Sequence, residues 1–366
     1  MALPTKDEIC KALEERGNIL DSKLAGYDTI DGIMGPEFYP GGFCLVFPVT
    51  NGTEKFAFRV WHTEIDGIQN RLAKISSFLA THKSRYFVEF DFVPHGLHVD
   101  SDNSVQDIPS VRMKWVDGKN LSTYLEYLIN ESGCDDSTIK NRIARLAENF
   151  LMMAQELHGM NISHGDLQHG NILVDDNQEI VLVDYDSVYV PTFNGEMQIT
   201  SGMSAYQHPC RKKGQVTASA KDDYFSERII YLSLLALAEE PSLWNELKDD
   251  EGEKDEYSLL LTDKDIEDFT HCSLYSTFLK LSNPRIAVLL NDISNSLQIG
   301  DANNLLPIEE LFINNTDKYD EQPDVTLLND DDLSFFAKEP VRTYQSTVSI
   351  KESFDEAAAF DRYSQN

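Results

Sequence analysis

Between His164 and Ser187 the chain reads HGDLQHGNILV, a short polar stretch, and then IVLVDYDS. The two apolar runs are too short for helices and are bounded by Asp, Asn and Gly, the pattern of a small hairpin. Asp166 and Asn171 flank a tight loop before the first run, and Asp184 closes the second. A carboxylate and an amide oxygen are hard ligands suited to magnesium. A further carboxylate beside them can orient an attacking hydroxyl. Phosphoryl transfer from a nucleotide needs both, because charge must be neutralised as it builds on the phosphate oxygens. Such a stretch fits best at the junction of two unlike structural units.

The flanking sequence supplies two such units. Thr5 and Glu8 are spaced as a capping box, which predicts a short helix ending near Gly17. Phe43 to Val49 and Lys55 to Trp61 are aromatic and β-branched runs, and Asn51-Gly52 between them signals a hairpin, since both residues tolerate positive φ. Ile68, Leu72, Ile75 and Leu79 form a helical stripe. A strand, RYFVEFDFV, follows, then an expected turn at His95-Gly96 and a further strand over Ser110 to Val116. From Leu121 the apolar spacing is mainly helical, with later helices expected at Tyr224 to Glu239, Asp265 to Phe269 and Arg285 to Leu297. From Asp301 the texture turns acidic and sparsely apolar, which predicts a partly disordered tail. Leu311-Phe312 and Leu333 to Phe336 are apolar islands in it, either docked on the main body or part of a plain linker.

Composition narrows the function classes. The chain has 366 residues, 41% of them hydrophobic and 10% aromatic, which argues against global disorder. Its formal net charge of -31 disfavours nucleic-acid backbones and anionic membranes. That charge reads as solubility in a cytoplasm or as a docking surface for a basic partner. The five cysteines, Cys10, Cys44, Cys134, Cys210 and Cys272, are scattered and show no CxxC, unlike a disulfide framework or a zinc site. The N-terminus lacks the apolar core of a signal peptide, and the apolar run Ile229 to Ala238 is too short to span a bilayer. A cytoplasmic location is the expectation.

His164-x-Asp166-x-x-x-x-Asn171 resembles the catalytic loop of the protein-kinase superfamily, and Asp184-Tyr185-Asp186 stands where that superfamily has Asp-Phe-Gly. More closely, HGDLQHGN, the Asp184 to Ser187 segment and Tyr206-Gln207-His208-Pro209 are similar to a family of bacterial eukaryotic-like serine/threonine kinases. The likeness extends over roughly residues 35 to 295, including KWVDG and the run from Tyr231. It implies an α+β, two-lobed fold: a helical extension over 1–30, a β-rich N-lobe over 31–116, a helical C-lobe over 117–300 and an acidic tail over 301–366. It implies ATP and Mg2+, with Asp166 as catalytic aspartate and Asn171, Asp184 and the unusual Asp186 at the metal. Arg59 would stand in for the strand lysine on the phosphates. Gly41 and Gly42 would form the phosphate-covering turn, and Lys114, Trp115 and Val116 the linker along adenine.

Several positions depart from the superfamily pattern. Arg59 keeps the charge of a lysine but presents a planar fork. The helix from Ile68 to Lys83 has no glutamate to pin it; Glu64 lies just before that helix, and Gln69 is uncharged. Asp186 replaces a glycine, and on extended chain it would face the same way as Asp184. Gly165 replaces the arginine that reads a phosphorylated activation loop, so control of that kind is not expected. Asp223 reads equally as a brace for the catalytic loop and as a helix N-cap. His169 and His208 read as structural. The resulting expectation is ATP-dependent transfer to protein serine or threonine hydroxyls. The alternatives are a pseudokinase acting as a nucleotide-binding regulatory scaffold and a small-molecule kinase, since HGD-x-x-x-x-N also resembles antibiotic and choline phosphotransferases. A protein substrate or regulatory partner is implied, and neither nucleic acid nor membrane.

Overall fold

The structure is a computed structural model of the chain and describes residues 3–15, 17–32, 35–101, 104–199, 202–211, 216–246, 257–302 and 304–313. The expected tail beyond these, with Leu333 to Phe336, lies outside the described residues. The fold is α+β, with a β-rich N-terminal half and a helical C-terminal half. Helix α1 (Lys6–Glu14) begins at the expected capping box: the Glu8 amide donates to Thr5 Oγ1 at 3.3 Å and the Thr5 amide to Glu8 Oε2 at 2.8 Å. Short strands β1 (Asp28–Thr29), β2 (Asp31–Gly32), β3 (Gly35–Pro36) and β4 (Tyr39–Pro40) lead into the long β5 (Cys44–Thr50) and β6 (Lys55–Trp61). Helix α2 (Ile68–Thr81) comes next, then β7 (Phe90–Ser101) and β8 (Ser104–Lys114). The main sheet runs β1-β5-β6-β8-β7, all antiparallel, with β4 also on β5.

Two details differ from the sequence expectation. In the β5–β6 hairpin only Gly52 takes positive φ (87°); Asn51 acts through its side chain, whose Oδ1 accepts the amides of Thr53 and Glu54 at 2.9 and 2.8 Å. The expected turn at His95-Gly96 is instead an irregularity inside β7, where the register with β8 shifts between Val93 and Leu97. Gly96 permits this because the Ser110 side chain lies where its Cβ would be, 1.8 Å from Oγ.

Strand alternation decides which face each β6 side chain serves. Phe56, Phe58 and Val60 join Leu45, Phe47 and Val49 beneath α1 in one core cluster. Ala57 and Trp61 face the opposite side, in a second core shared with α2 and the helical half. Arg59 shares that second face by period two. The helical half begins after β9 (Lys119–Asn120) with α3 (Leu121–Glu126) and α4 (Asp136–Gly159). The hairpin β10 (Ile172–Val174) and β11 (Ile180–Leu182) follows as expected, paired Leu173↔Val181. Helix α5 (Tyr224–Glu239) is buried on nearly all sides and packs on α4, as its all-round apolar sequence requires. Helices α6 (Leu243–Glu246), α7 (Asp263–Glu267), α8 (Ser273–Phe278), α9 (Pro284–Ile299) and α10 (Glu310–Ile313) complete the described chain. Leu311 and Phe312 pack on the core, with the Phe312 ring 5.9 Å from Tyr231, so this island docks. Among the described residues no helix is long and apolar enough to cross a membrane.

Candidate active site

The β10–β11 hairpin and the loop before it carry the site. Asp223, at the start of α5, accepts the amides of His164 and of Gly165, the latter at 2.9 Å. It therefore braces the loop, and its side chain makes no capping bond to α5. Burial pushes its carboxyl up to about 7, with the His164 ring and amide working the other way. The His164 ring is fixed to the Val183 carbonyl at 2.8 Å. Gly165 has φ +81°, and a Cβ there would sit 2.3 Å from the Ser187 carbonyl oxygen. The missing arginine thus has a local cause: no side chain fits between the loop and the segment that crosses it.

Asp166 and Asn171 come together as the spacing predicts. The Asn171 amide donates to the Asp166 carbonyl at 2.8 Å and to Asp166 Oδ2 at 3.3 Å. Burial raises the Asp166 carboxyl, and Asp184 adds to that. The segment after the hairpin lies close by: a Cβ on Gly202 would be 3.0 Å from Asp166 Oδ1. His169 Nδ1 meets the Tyr206 hydroxyl at 2.6 Å, so the loop is tied to the Tyr206 to Pro209 segment. The other ring, His208, contacts the Ser296 carbonyl and Cys210.

Asp184, Asp186 and Arg59 also converge, by a route the sequence did not suggest. Asp184 is left-handed (φ 64°, ψ 69°), and Tyr185–Ser187 form a 3-10 turn rather than extended chain. Nevertheless both carboxylates meet one nitrogen, Arg59 Nη2, at 3.0 Å for Asp184 Oδ1 and 3.1 Å for Asp186 Oδ2. The Cys44 thiol is 3.4 Å from the same nitrogen and is pushed up to about 12 by burial, so it remains protonated. Burial alone works against the Arg59 charge, but the Asp186 and Asp184 carboxylates outweigh it and hold the guanidinium cationic. Asp186 is pushed up to about 6 by burial, with Arg59 opposing. Asp184 is the open member of the trio: its side chain is 49% exposed, against 19% for Asp186 and 8% for Arg59. Tyr185 between them is fully buried, donating to the Leu182 carbonyl at 2.7 Å and accepting the Val88 amide at 3.0 Å. It thereby ties the site to the chain segment ahead of β7.

The remaining expected contacts are more peripheral. Gly41-Gly42 form the β4–β5 turn, but the Gly41 amide turns inward to the Cys44 carbonyl at 2.8 Å. In the linker, the Lys114 amide donates to the Glu89 carbonyl and the Trp115 amide to the Lys55 carbonyl, at 3.0 and 3.2 Å. The Trp115 ring packs under Lys55 Nζ at 3.8 Å and beside Tyr39. Among the described residues no group of three or more His, Cys, Asp and Glu side chains could hold a metal ion; Asp184 and Asp186 supply two carboxylates and Asn171 an amide.

Sequence reasoning missed Arg71. It lies on α2, three residues after Ile68 and four before Ile75, on the flank of the apolar stripe where a cation is out of place. It is buried, and its guanidinium reaches the carbonyls of Asp186, Ser187 and Val188 at 2.9, 3.0 and 2.9 Å.

No protein-family model matches the chain. The chain is similar to MAP kinase kinase MKK1/SSP32 of Saccharomyces cerevisiae, with 25% identity over 193 residues. That match covers 52% of this chain and spans 35% of the relative's own length. This distant likeness points to the protein-kinase-like superfamily and is consistent with nucleotide-dependent enzyme chemistry in general.

Proposed function

We propose that this protein is a two-lobed kinase-like enzyme that transfers the terminal phosphoryl group of ATP to serine or threonine hydroxyls of a protein. The observation that carries this reading is the meeting of Asp166, Asn171, Asp184 and a buried arginine at one hairpin. The donor set fits magnesium: a half-exposed carboxylate on Asp184 and the Asn171 amide, whose nitrogen is taken by Asp166. When bound, the metal neutralises charge across the phosphates. Asp166 Oδ1 is buried and has no hydrogen-bond partner among the described residues, which suits it to receive an incoming hydroxyl. Asp166 orients that hydroxyl and takes its proton as the new O–P bond forms and the bond to the leaving ADP oxygen breaks. Arg59 supplies fixed positive charge for the phosphates. A chain of formal charge -31 favours a partner or substrate with a basic surface.

One observation favours the regulatory-scaffold reading instead: Arg59 Nη2 is already held by Asp184 and Asp186, both of them expected at the metal. Incubating the full chain with γ-labelled ATP, magnesium and a generic basic protein separates the two. Label on the chain or the acceptor, reduced about a hundredfold or more in Asp166→Asn, supports transfer. Metal-dependent ATP binding without turnover supports the scaffold. Turnover only with a small hydroxylated acceptor redirects the reading to a small-molecule kinase. A chain that binds no ATP with or without metal sinks them all.

A further inference from the structure

We infer that Arg71 is a positioning residue for the phosphate site: helix α2 holds the 186–188 backbone through Arg71, and that backbone presents the Asp186 carboxylate that aims Arg59. This rests on the functional reading above. A buried guanidinium on a strand needs a carboxylate to fix its direction, and α2 (IQNRLAKISSFLAT) carries none. The carboxylate comes from Asp186, whose Oδ2 lies 3.1 Å from Arg59 Nη2. What α2 contributes is a cation aimed at the same residue's main chain: Arg71 Nε donates to the Asp186 carbonyl at 2.9 Å. Nη2 of the same fork donates to the Ser187 and Val188 carbonyls at 3.0 and 2.9 Å.

Space-filling does not explain this arrangement. Burial lowers the Arg71 pKa, with Glu196, Asp186 and Asp222 helping its charge only through space. A buried cation without a direct carboxylate is costly, and an apolar side chain would fill the volume more cheaply. The guanidinium fork is suited to three successive carbonyls in a way that an ammonium is not. Its central carbon also lies over the Phe193 ring, 4.3 Å from the centroid, a further contact that holds the cation there. The segment is held from beneath as well, since the Ser187 carbonyl rests against the Cα side of Gly165, where a Cβ would come within 2.3 Å. Segment 186–188 is therefore pinned between α2 and the Asp166 loop, and its position sets where Asp186 holds Arg59. Because its acceptors are main-chain carbonyls, this hold needs no phosphorylated side chain.

The test is titration of the full chain with a fluorescent ATP analogue, with and without magnesium. Its variants are Arg71→Gln, Arg71→Lys, Asp186→Asn and Arg59→Gln, with Arg71→Gln also combined with Arg59→Gln. Arg71→Gln and Asp186→Asn should each weaken binding about tenfold, the loss of one well-aimed charge-assisted contact. Arg71→Lys, which keeps charge but not the fork, should also weaken it. In the Arg71 variants the magnesium concentration for half-maximal binding should not move, which separates positioning from metal ligation. In the Arg59→Gln background, Arg71→Gln should cost nothing further, whereas a merely structural role would leave the effects additive. Folded Arg71 variants that bind as the wild type does, or additive effects, would overturn the inference. If neither Arg71 variant folds, Asp186→Asn decides alone: unchanged affinity overturns the relay. A wild-type chain that binds no ATP overturns the functional reading and this inference together. Wild-type binding with insensitive variants overturns the inference only.

Discussion

Replacing Gly165 by alanine tests the crossing of the Asp166 loop and the segment above it. Two costs can be separated. Gly165 sits at φ +81°, a left-handed conformation that costs an L-residue about 1–2 kcal/mol. In addition, its new Cβ would lie 2.3 Å from the Ser187 oxygen and 3.0 Å from the Ser187 carbonyl carbon, so backbone must move. Ser187 O is also an acceptor for Arg71 Nη2 at 3.0 Å, and losing a hydrogen bond to a charged group costs about 1.5–3 kcal/mol. The expected loss is about 3–5 kcal/mol. Gly195 provides the control: its φ is +85°, and nothing lies within 4 Å of a Cβ placed there. Gly195→Ala should therefore show the conformational cost alone, about 1–2 kcal/mol. Urea unfolding of both variants and the wild type, compared by midpoint at equal slope, reads the difference directly. Gly165→Ala should exceed Gly195→Ala by about 2 kcal/mol, through the hydrogen bond and the displaced carbonyl. Equal losses for the two variants would refute the argument that Gly165 is required by the crossing segment.

Two more expectations follow from buried charge. His158 lies between Glu227 and Glu309, both at 2.9 Å, with the Tyr224 ring 4.8 Å away. Burial opposes its charge, but the two glutamates raise it to about 9. A raised histidine contributes fully below its ordinary value near 6.5 and loses that contribution as pH climbs through about 9, a change of about 3 kcal/mol. Unfolding midpoints at pH 6 and pH 9.5 should differ accordingly, and His158→Gln should flatten the difference; an unchanged difference would rule the site out. Asp223→Asn leaves one oxygen for two amides that now share a carboxylate. It should cost about 2–4 kcal/mol and depress labelled-ATP transfer along with Asp166 alignment. Full transfer activity in a destabilised Asp223→Asn chain would show that the brace serves stability alone.

How much of this could be read from sequence depends on which interaction sets each position. The β5–β6 hairpin, the α2 stripe and the β10–β11 hairpin were legible because local periodicity and burial agree there. His95-Gly96 misled because a glycine between strand-like runs signals a turn, while here it makes room for Ser110 across a strand pair. The convergence of Asp184 and Asp186 was expected from extended-strand alternation, yet the backbone is a left-handed residue followed by a 3-10 turn. The carboxylates meet because Arg59 is buried between them and a buried guanidinium gathers acids from whatever backbone lies within reach. The role of Arg71 was not legible at all, since its partners are main-chain carbonyls 115 to 117 residues away and backbone acceptors leave no mark on the residue types that bear them. The same reason explains the absent helix glutamate. Once the helix grips the backbone of 186–188, the acid that aims Arg59 can sit on that segment, and α2 needs no carboxylate of its own.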